Sequence, residues 1–188
     1  METTNHEKLL VQIASILERF DIEYLVTGGF AVSVWGRPRA TFDIDIVIKL
    51  GEPKVALLAK ALRKISEDGY IDEDTAKDAI HHEGEFNFID SQSGLKVDFW
   101  IAKKKGHAIL EFKRKKTEKI NGQKVYFVSP EDLILSKLEW HQQSQSSRHL
   151  EDVESILKIS GDKLDKAYLK QWAERLAVLE ALDKLWQQ

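Results

Sequence analysis

Two short stretches, Val26-Thr27-Gly28-Gly29-Phe30 and Thr41-Phe42-Asp43-Ile44-Asp45-Ile46-Val47-Ile48, set the fold of this 188-residue chain. Tyr24-Leu25-Val26 is an apolar run ended by two glycines, which predicts a buried strand entering a tight turn. Phe30 to Trp35 then reads as a short helix, broken by Gly36-Arg37-Pro38-Arg39. Phe42 to Leu50 alternates as a strand does. On a strand successive side chains take opposite faces, so Ile44, Ile46 and Ile48 share the buried one. Asp43 and Asp45 then project together from the other, about 7 Å apart. Two like charges side by side are destabilising unless something positive lies between them. A divalent metal is the natural partner, because hard cations take carboxylate oxygens. The bland alternative is a solvated strand edge.

Neighbouring features bear on that choice. A strand, then Gly28-Gly29, then a helix directs free backbone N–H groups and a helix's positive end to where a phosphate can sit. A plain turn would use the same glycines. Leu95-Lys96-Val97-Asp98-Phe99 repeats the strand format, with Leu95, Val97 and Phe99 inward and Asp98 on the side of Lys96. Three aspartates on two strands beside a glycine turn suit a two-metal phosphoryl-transfer site.

Further out, Leu9, Ile13, Ile16 and Phe20 recur at helical spacing behind a capping box, Thr4-Asn5-His6-Glu7. Lys54 to Ile65 reads as a second amphipathic helix, followed by an acidic connecting stretch. Glu85–Ile89 and Leu95–Ile101 read as strands flanking the turn residues Ser91 to Gly94. His107–Phe112 and Lys124–Val128 read as further strands, with a hairpin turn at Asn121-Gly122. Ser129-Pro130-Glu131-Asp132 is a helix start, and from there the pattern is helical alone, including a stripe of Leu169, Trp172, Leu176 and Leu179. The expected fold class is α+β: a mixed β-sheet flanked by helices over residues 1–128, and a small C-terminal helical region over 129–188 packed on it.

Composition agrees. The chain is 43% hydrophobic and 31% charged, with a formal net charge of -3, as in ordinary soluble domains. It has no cysteine, which excludes disulfides, thiolate metal sites and a cysteine nucleophile. The start, Met1 to Asn5, is polar, and the longest uncharged run, Tyr24 to Gly36, holds three glycines and is shorter than a membrane span. A cytoplasmic protein without membrane attachment is expected.

Gly28-Gly29, the spacer, Asp43-Ile44-Asp45-Ile46 and a later strand bearing Asp98 resemble the nucleotidyltransferase superfamily of DNA polymerase beta. Ser129 to Leu138 and Arg148-His149-Leu150-Glu151-Asp152-Val153 narrow this. They are similar to the minimal bacterial nucleotidyltransferases of the abortive-infection toxin type, although His149 and Glu151 stand near where a basic residue is often found. The similarity spans about residues 22–158.

That resemblance implies transfer of a nucleoside monophosphate from an NTP to a hydroxyl acceptor, with pyrophosphate released. RNA or protein is the expected acceptor ahead of a small molecule. It implies two Mg²⁺ ions held by Asp43, Asp45 and Asp98, with Asp98 also helping to deprotonate the acceptor. Gly28 and Gly29 would hold phosphates, Lys137 would clamp them, and Asp152 would orient Lys137 or the acceptor. A surface ion pair is the alternative for Lys137 and Asp152. A cognate toxin or antitoxin protein is an expected partner. The alternative class is a non-catalytic nucleotide- or partner-binding module, such as an antitoxin.

Three weaker signals remain. His81-His82-Glu83 invites a zinc reading, but adjacent side chains diverge and an exposed helix end explains them better. Trp172 and Trp186 on the C-terminal stripe suggest core packing, or else anchors for a partner. Residues 67–90 hold nine acids against Lys77, whereas residues 103–124 hold nine bases against Glu111 and Glu118. These two regions either are solvated surfaces that partly compensate, or mark an acceptor: RNA or another anion on the basic one, a cationic aminoglycoside on the acidic one.

Overall fold

Alternation in Asp43–Ile48 (β2) buries Ile44, Ile46 and Ile48 completely and makes this strand the centre of a seven-stranded sheet. The computed structural model describes residues 4–186, so the first three residues of the polar start lie outside it. The strands are Tyr24–Thr27 (β1), β2, Tyr70–Ile71 (β3), Glu85–Ile89 (β4), Lys96–Ile101 (β5), Lys116–Ile120 (β6) and Gln123–Phe127 (β7). Their order across the sheet is β3-β4-β5-β2-β1-β7-β6. β2 runs parallel to β5 and antiparallel to β1, and β1 runs parallel to β7. The mixed α+β sheet expected from the sequence is the one observed.

The described residues group into two compact units. One runs to Gly28 and resumes over Thr41–Phe127; the other comprises Gly29–Ala40 and the chain from Val128 onward. The first holds the whole sheet and four helices: Asn5–Arg19 (α1), Val55–Leu62 (α3), Glu73–His82 (α4) and Ala108–Arg114 (α5). Thr4 caps α1 through the expected capping box with Glu7. The Gln123 side chain donates to Ser15 Oγ of α1 at 2.8 Å, which places α1 on the face of Val26, Ile46 and Phe127. Helix α3 packs on α1 and α4 on α3, continuing that layer. On the other face, Phe112 of α5 joins Leu25, Ala102 and Val47.

The second unit begins with Gly28–Trp35 (α2), of which Gly28 belongs to the sheet unit, and continues with Pro130–Ser144 (α6), Ser147–Ser160 (α7), Lys166–Arg175 (α8) and Leu179–Trp186 (α9). Ser129 caps α6 with Pro130 in its first turn, as its sequence dictates. The Trp35 indole donates to the Val128 carbonyl at 2.9 Å. Asp132 accepts from Ser129 Oγ and from the Tyr168 hydroxyl, each at 2.7 Å.

Several expectations are corrected. His107–Phe112 is not a strand. Gly106 takes a positive φ of 68°, and the good helix formers after it make α5, so β6 is the strand before the Asn121-Gly122 turn. That turn has both residues at positive φ, the geometry a two-residue hairpin needs. The acidic connecting stretch holds β3 and α4. Asp72 caps α4 by accepting from the Thr75 amide at 2.7 Å, and its buried face is only Ala76 and Ala79, too small to stand out as an apolar stripe. A 3-10 turn at Glu52–Lys54 precedes α3. The stripe through Leu169, Trp172, Leu176 and Leu179 is cut at Ala177, whose φ of 58° separates α8 from α9.

Candidate functional site

Within the sheet unit, the parallel register of β2 and β5 pairs Asp45 with Asp98 and Asp43 with Lys96. Partners across a sheet lie about 4.8 Å apart and point to the same face. The three expected aspartates therefore share one face of adjacent strands. β1 adds Thr27 opposite Asp45, and Gly28 follows at a φ of +62°. A Cβ on Gly28 would lie 1.8 Å from Asp45 Oδ2 and 2.5 Å from its Cγ. Only glycine lets the backbone pass this close to that carboxylate.

Lys96 is part of this cluster, and the sequence marked it only as lying on the Asp98 side. Its Nζ is 2.8 Å from Asp98 Oδ2 and 3.9 Å from Asp43 Oδ2. The hydrogen bond to Asp98 pushes the Lys96 ammonium above the usual lysine range, with the Asp98, Asp43 and Glu85 charges outweighing its partial burial. Glu85 of β4 is pushed up by desolvation first, then by the charges of Asp98 and Asp45, with Lys96 opposing. The field on this face is thus negative, as like charges gathered together make it.

Asp43, Asp45 and Asp98 offer carboxylate oxygens alone, the donor set of a hard divalent cation. Among the described residues no three His, Asp or Glu side chains converge as a formed metal cage. The Lys96 ammonium instead bridges Asp98 and Asp43. A divalent ion fits this donor set once that ammonium yields.

The helical unit holds the other expected residues. Asp152 of α7 is 2% exposed and takes a two-point contact from Arg39, Nε at 2.7 Å and Nη2 at 2.9 Å. Lys137 of α6 adds its Nζ at 3.0 Å from Asp152 Oδ2. Burial would raise the Asp152 carboxyl, but the Arg39 hydrogen bonds and the Lys137 charge hold it below the usual carboxylate range. Two cations on one buried carboxylate leave an excess positive charge. Beside them, burial and then the Lys137 charge push the His149 imidazole down. The pair of Lys137 and Asp152 is therefore buried, not a surface ion pair. The sequence does not reveal Arg39, because its run reads only as a helix break and its partner lies 113 residues away. Gly29 is buried at the start of this unit, and its carbonyl accepts from Ser33 Oγ at 3.3 Å.

The structure thus gathers Gly28, Asp43, Asp45 and Asp98 in one unit, and Lys137 and Asp152 in the other. His81 and His82 end α4 with separate partners, Glu52 and the Asp78 carbonyl, as expected of a helix end. Trp172 lies under the Arg175 guanidinium, and Trp186 under the Lys166 ammonium. No helix among the described residues is long and apolar enough to cross a membrane.

The fold these elements define is that of the nucleotidyltransferases. The antibiotic-resistance factor ANT(2'')-Ia, in a solution structure, superposes with a TM-score of 0.60 at 14% identity, covering 97% of this chain and 99% of that one. An antigenic nucleotidyltransferase-like protein from Paracoccidioides brasiliensis follows, with a TM-score of 0.56, 18% identity, and 98% and 94% of the two chains covered. The lincosamide antibiotic adenylyltransferase LnuA gives 0.54 and 16%, over 83% of this chain and 99% of its own. No protein-family model matches the sequence, and no curated protein matches it.

Proposed function

We propose that this chain is a Mg²⁺-dependent nucleotidyltransferase that moves a nucleoside monophosphate from an NTP, ATP among them, to a hydroxyl acceptor. The observation that carries this reading is Asp45, register partner of Asp98 and wrapped by the Cβ-free backbone of Gly28. Asp43, Asp45 and Asp98 would hold two Mg²⁺ ions, which when bound neutralise phosphate charge and lower the pKa of the acceptor hydroxyl. The backbone amides of Gly28 and Gly29 donate to phosphate oxygens. In the helical unit, Lys137, oriented by Asp152 as the resemblance implies, is the cationic clamp for phosphate, and Arg39 shares its carboxylate. Asp98 accepts the hydroxyl proton. The acceptor oxygen bonds to the α-phosphorus, the bond from that phosphorus to its bridging oxygen breaks, and pyrophosphate leaves with the electron pair. RNA or protein stands ahead of a small molecule as acceptor. The toxin-type resemblance supports a cytoplasmic setting and a cognate toxin or antitoxin partner.

A second reading is favoured by one observation. The salt bridge from Lys96 to Asp98 neutralises the third carboxylate, as suits a module that binds nucleotide without turnover. Incubation with each labelled NTP, Mg²⁺ and a cell extract separates the two: transferred label supports the enzyme, and binding without transfer supports the module. Asp98→Asn carries the test to the residue. It should lower transfer about 10²-fold or more, the scale of lost general-base help, while calorimetric NTP–Mg²⁺ affinity changes little. Equal loss of both would make Asp98 a primary nucleotide ligand, and full activity would remove it from the chemistry.

A further inference from the structure

The strands of the two charged stretches lie at opposite edges of one sheet, while Lys103, Lys104 and Lys105 follow β5 and meet the acidic stretch, the Lys104 amide donating to Glu83 Oε1 at 3.3 Å. The acidic stretch forms β3, α4 and β4 at one edge, and the basic stretch forms the β6–β7 hairpin at the other, with α5 over β1 and β2 between them. From β4 to β7 is four strand spacings, about 19 Å. At physiological salt the screening length is about 8 Å, so the hairpin lysines and the acids of the β3–α4–β4 edge do not neutralise each other.

Their faces differ too. Asp45 pairs with Thr27, and Val26 pairs with Phe127, so Thr27 and Tyr126 lie on the same side. Tyr126 pairs with Thr117, and Lys119 pairs with Lys124. Strand alternation therefore puts Thr117, Lys119, Lys124 and Tyr126 on the face that carries Asp43, Asp45 and Asp98. Lys115 joins them, its Nζ 4.2 Å from the centre of the Tyr126 ring. Lys119 and Lys124 are exposed, and none of these three lysines has a carboxylate partner among the described residues. Two like charges directly opposite on a hairpin cost stability, a cost that a bound anion removes. Acidic helix α4, by contrast, belongs to the helical layer on the far face. Glu85 is the one acid that β4 adds to the carboxylate face, beside Asp98, and the hairpin further along that face is basic.

From this arrangement we infer that the acceptor is a single-stranded RNA whose phosphates run along Lys115, Lys119 and Lys124 while its terminal hydroxyl lies at the aspartates. This rests on the nucleotidyltransferase reading and names its acceptor class. The extent of the surface selects a polymer. From β2 to β6 is three strand spacings, about 14 Å, longer than one nucleotide and within reach of a few. Tyr126 adds an aromatic surface among the cations, as single-strand binders use.

The test is fluorescence anisotropy with a labelled twelve-nucleotide single-stranded RNA over a salt series, on the full chain. Lys119→Ala/Lys124→Ala should weaken binding about tenfold or more at moderate salt and lower the salt slope by about 1.4, since each phosphate contact to a single strand contributes about 0.7. Lys60→Ala/Lys64→Ala, a charge-matched change on α3 and in the turn after it, away from the hairpin, should leave affinity and slope at the unaltered values. Equal losses in the two double variants, no RNA binding by the unaltered protein, or label transferred to protein or tobramycin in place of RNA would each overturn the inference. NTP–Mg²⁺ binding by the unaltered protein is measured beside it. Its absence defeats the nucleotidyltransferase reading and the acceptor assignment with it, whereas NTP binding without RNA binding defeats the acceptor assignment alone.

Discussion

Gly28→Val is expected to lower nucleotidyl transfer about 10²-fold or more and to bring the melting temperature down by several degrees while the chain still folds. Two costs act at one position. The backbone there sits at a φ of +62°, where an L-residue pays about 1–2 kcal/mol and a β-branched one is a true outlier. At about 2–4 °C per kcal/mol for a chain of this size, that alone shifts the melting transition visibly. The second cost falls on the chemistry. The new Cβ would sit 1.8 Å from Asp45 Oδ2, so the Asp45 carboxylate must move by more than an ångström. A misplacement of about 1 Å near reacting groups costs about 10²-fold. Gly28→Ala separates the two, since it pays less backbone strain but meets Asp45 with the same Cβ. Transfer should therefore fall nearly as far in alanine as in valine, with a smaller melting shift. If transfer instead tracks the melting shift, or stays within twofold of the unaltered protein, the close approach of Gly28 to Asp45 plays no part in the reaction.

What could be read in advance follows from the range of the interactions. Alternation is local, and it placed Asp43, Asp45 and Asp98 on exposed sides of buried strands. The cap residues Thr4 and Ser129 are equally local, and both begin helices as their neighbours dictate. The pairing of β2 with β5 joins residues more than fifty positions apart, so nothing near Lys96 shows that its ammonium will reach Asp43 as well as Asp98. Arg39 is the sharper case. Its own surroundings, Pro38 and Ala40, carry only a break in the helix, and its meaning comes from Asp152 on α7. In α5, Ile109, Leu110 and Phe112 look like a short apolar strand, whereas only Phe112 is buried. Helix α4 escaped because two alanines suffice for its contact, and an alanine face has little hydrophobic signal.

Asp152→Ala should be the most destabilising single change in the helical unit, by about 3–5 kcal/mol, because it leaves the Arg39 and Lys137 charges without their shared carboxylate. Arg39 and Lys137 are 25% and 10% exposed, so neither cation recovers full hydration without moving. Denaturant titration of the full chain reads the loss directly. Asp152→Asn keeps the shape and isolates the charge, and the pH dependence of the difference carries the signature. The Asp152 carboxyl is held below its ordinary value in the folded chain. A depressed folded pKa means the unfolded chain binds the proton first, so this group's contribution is complete above about pH 4 and fades as pH falls through the folded value. The gap between the unaltered protein and Asp152→Asn should therefore be constant from pH 7 to about 5 and shrink below about 4. A gap that stays flat to pH 3 would mean that the carboxylate charge does not hold Arg39 and Lys137. Their placement would then have to come from packing alone.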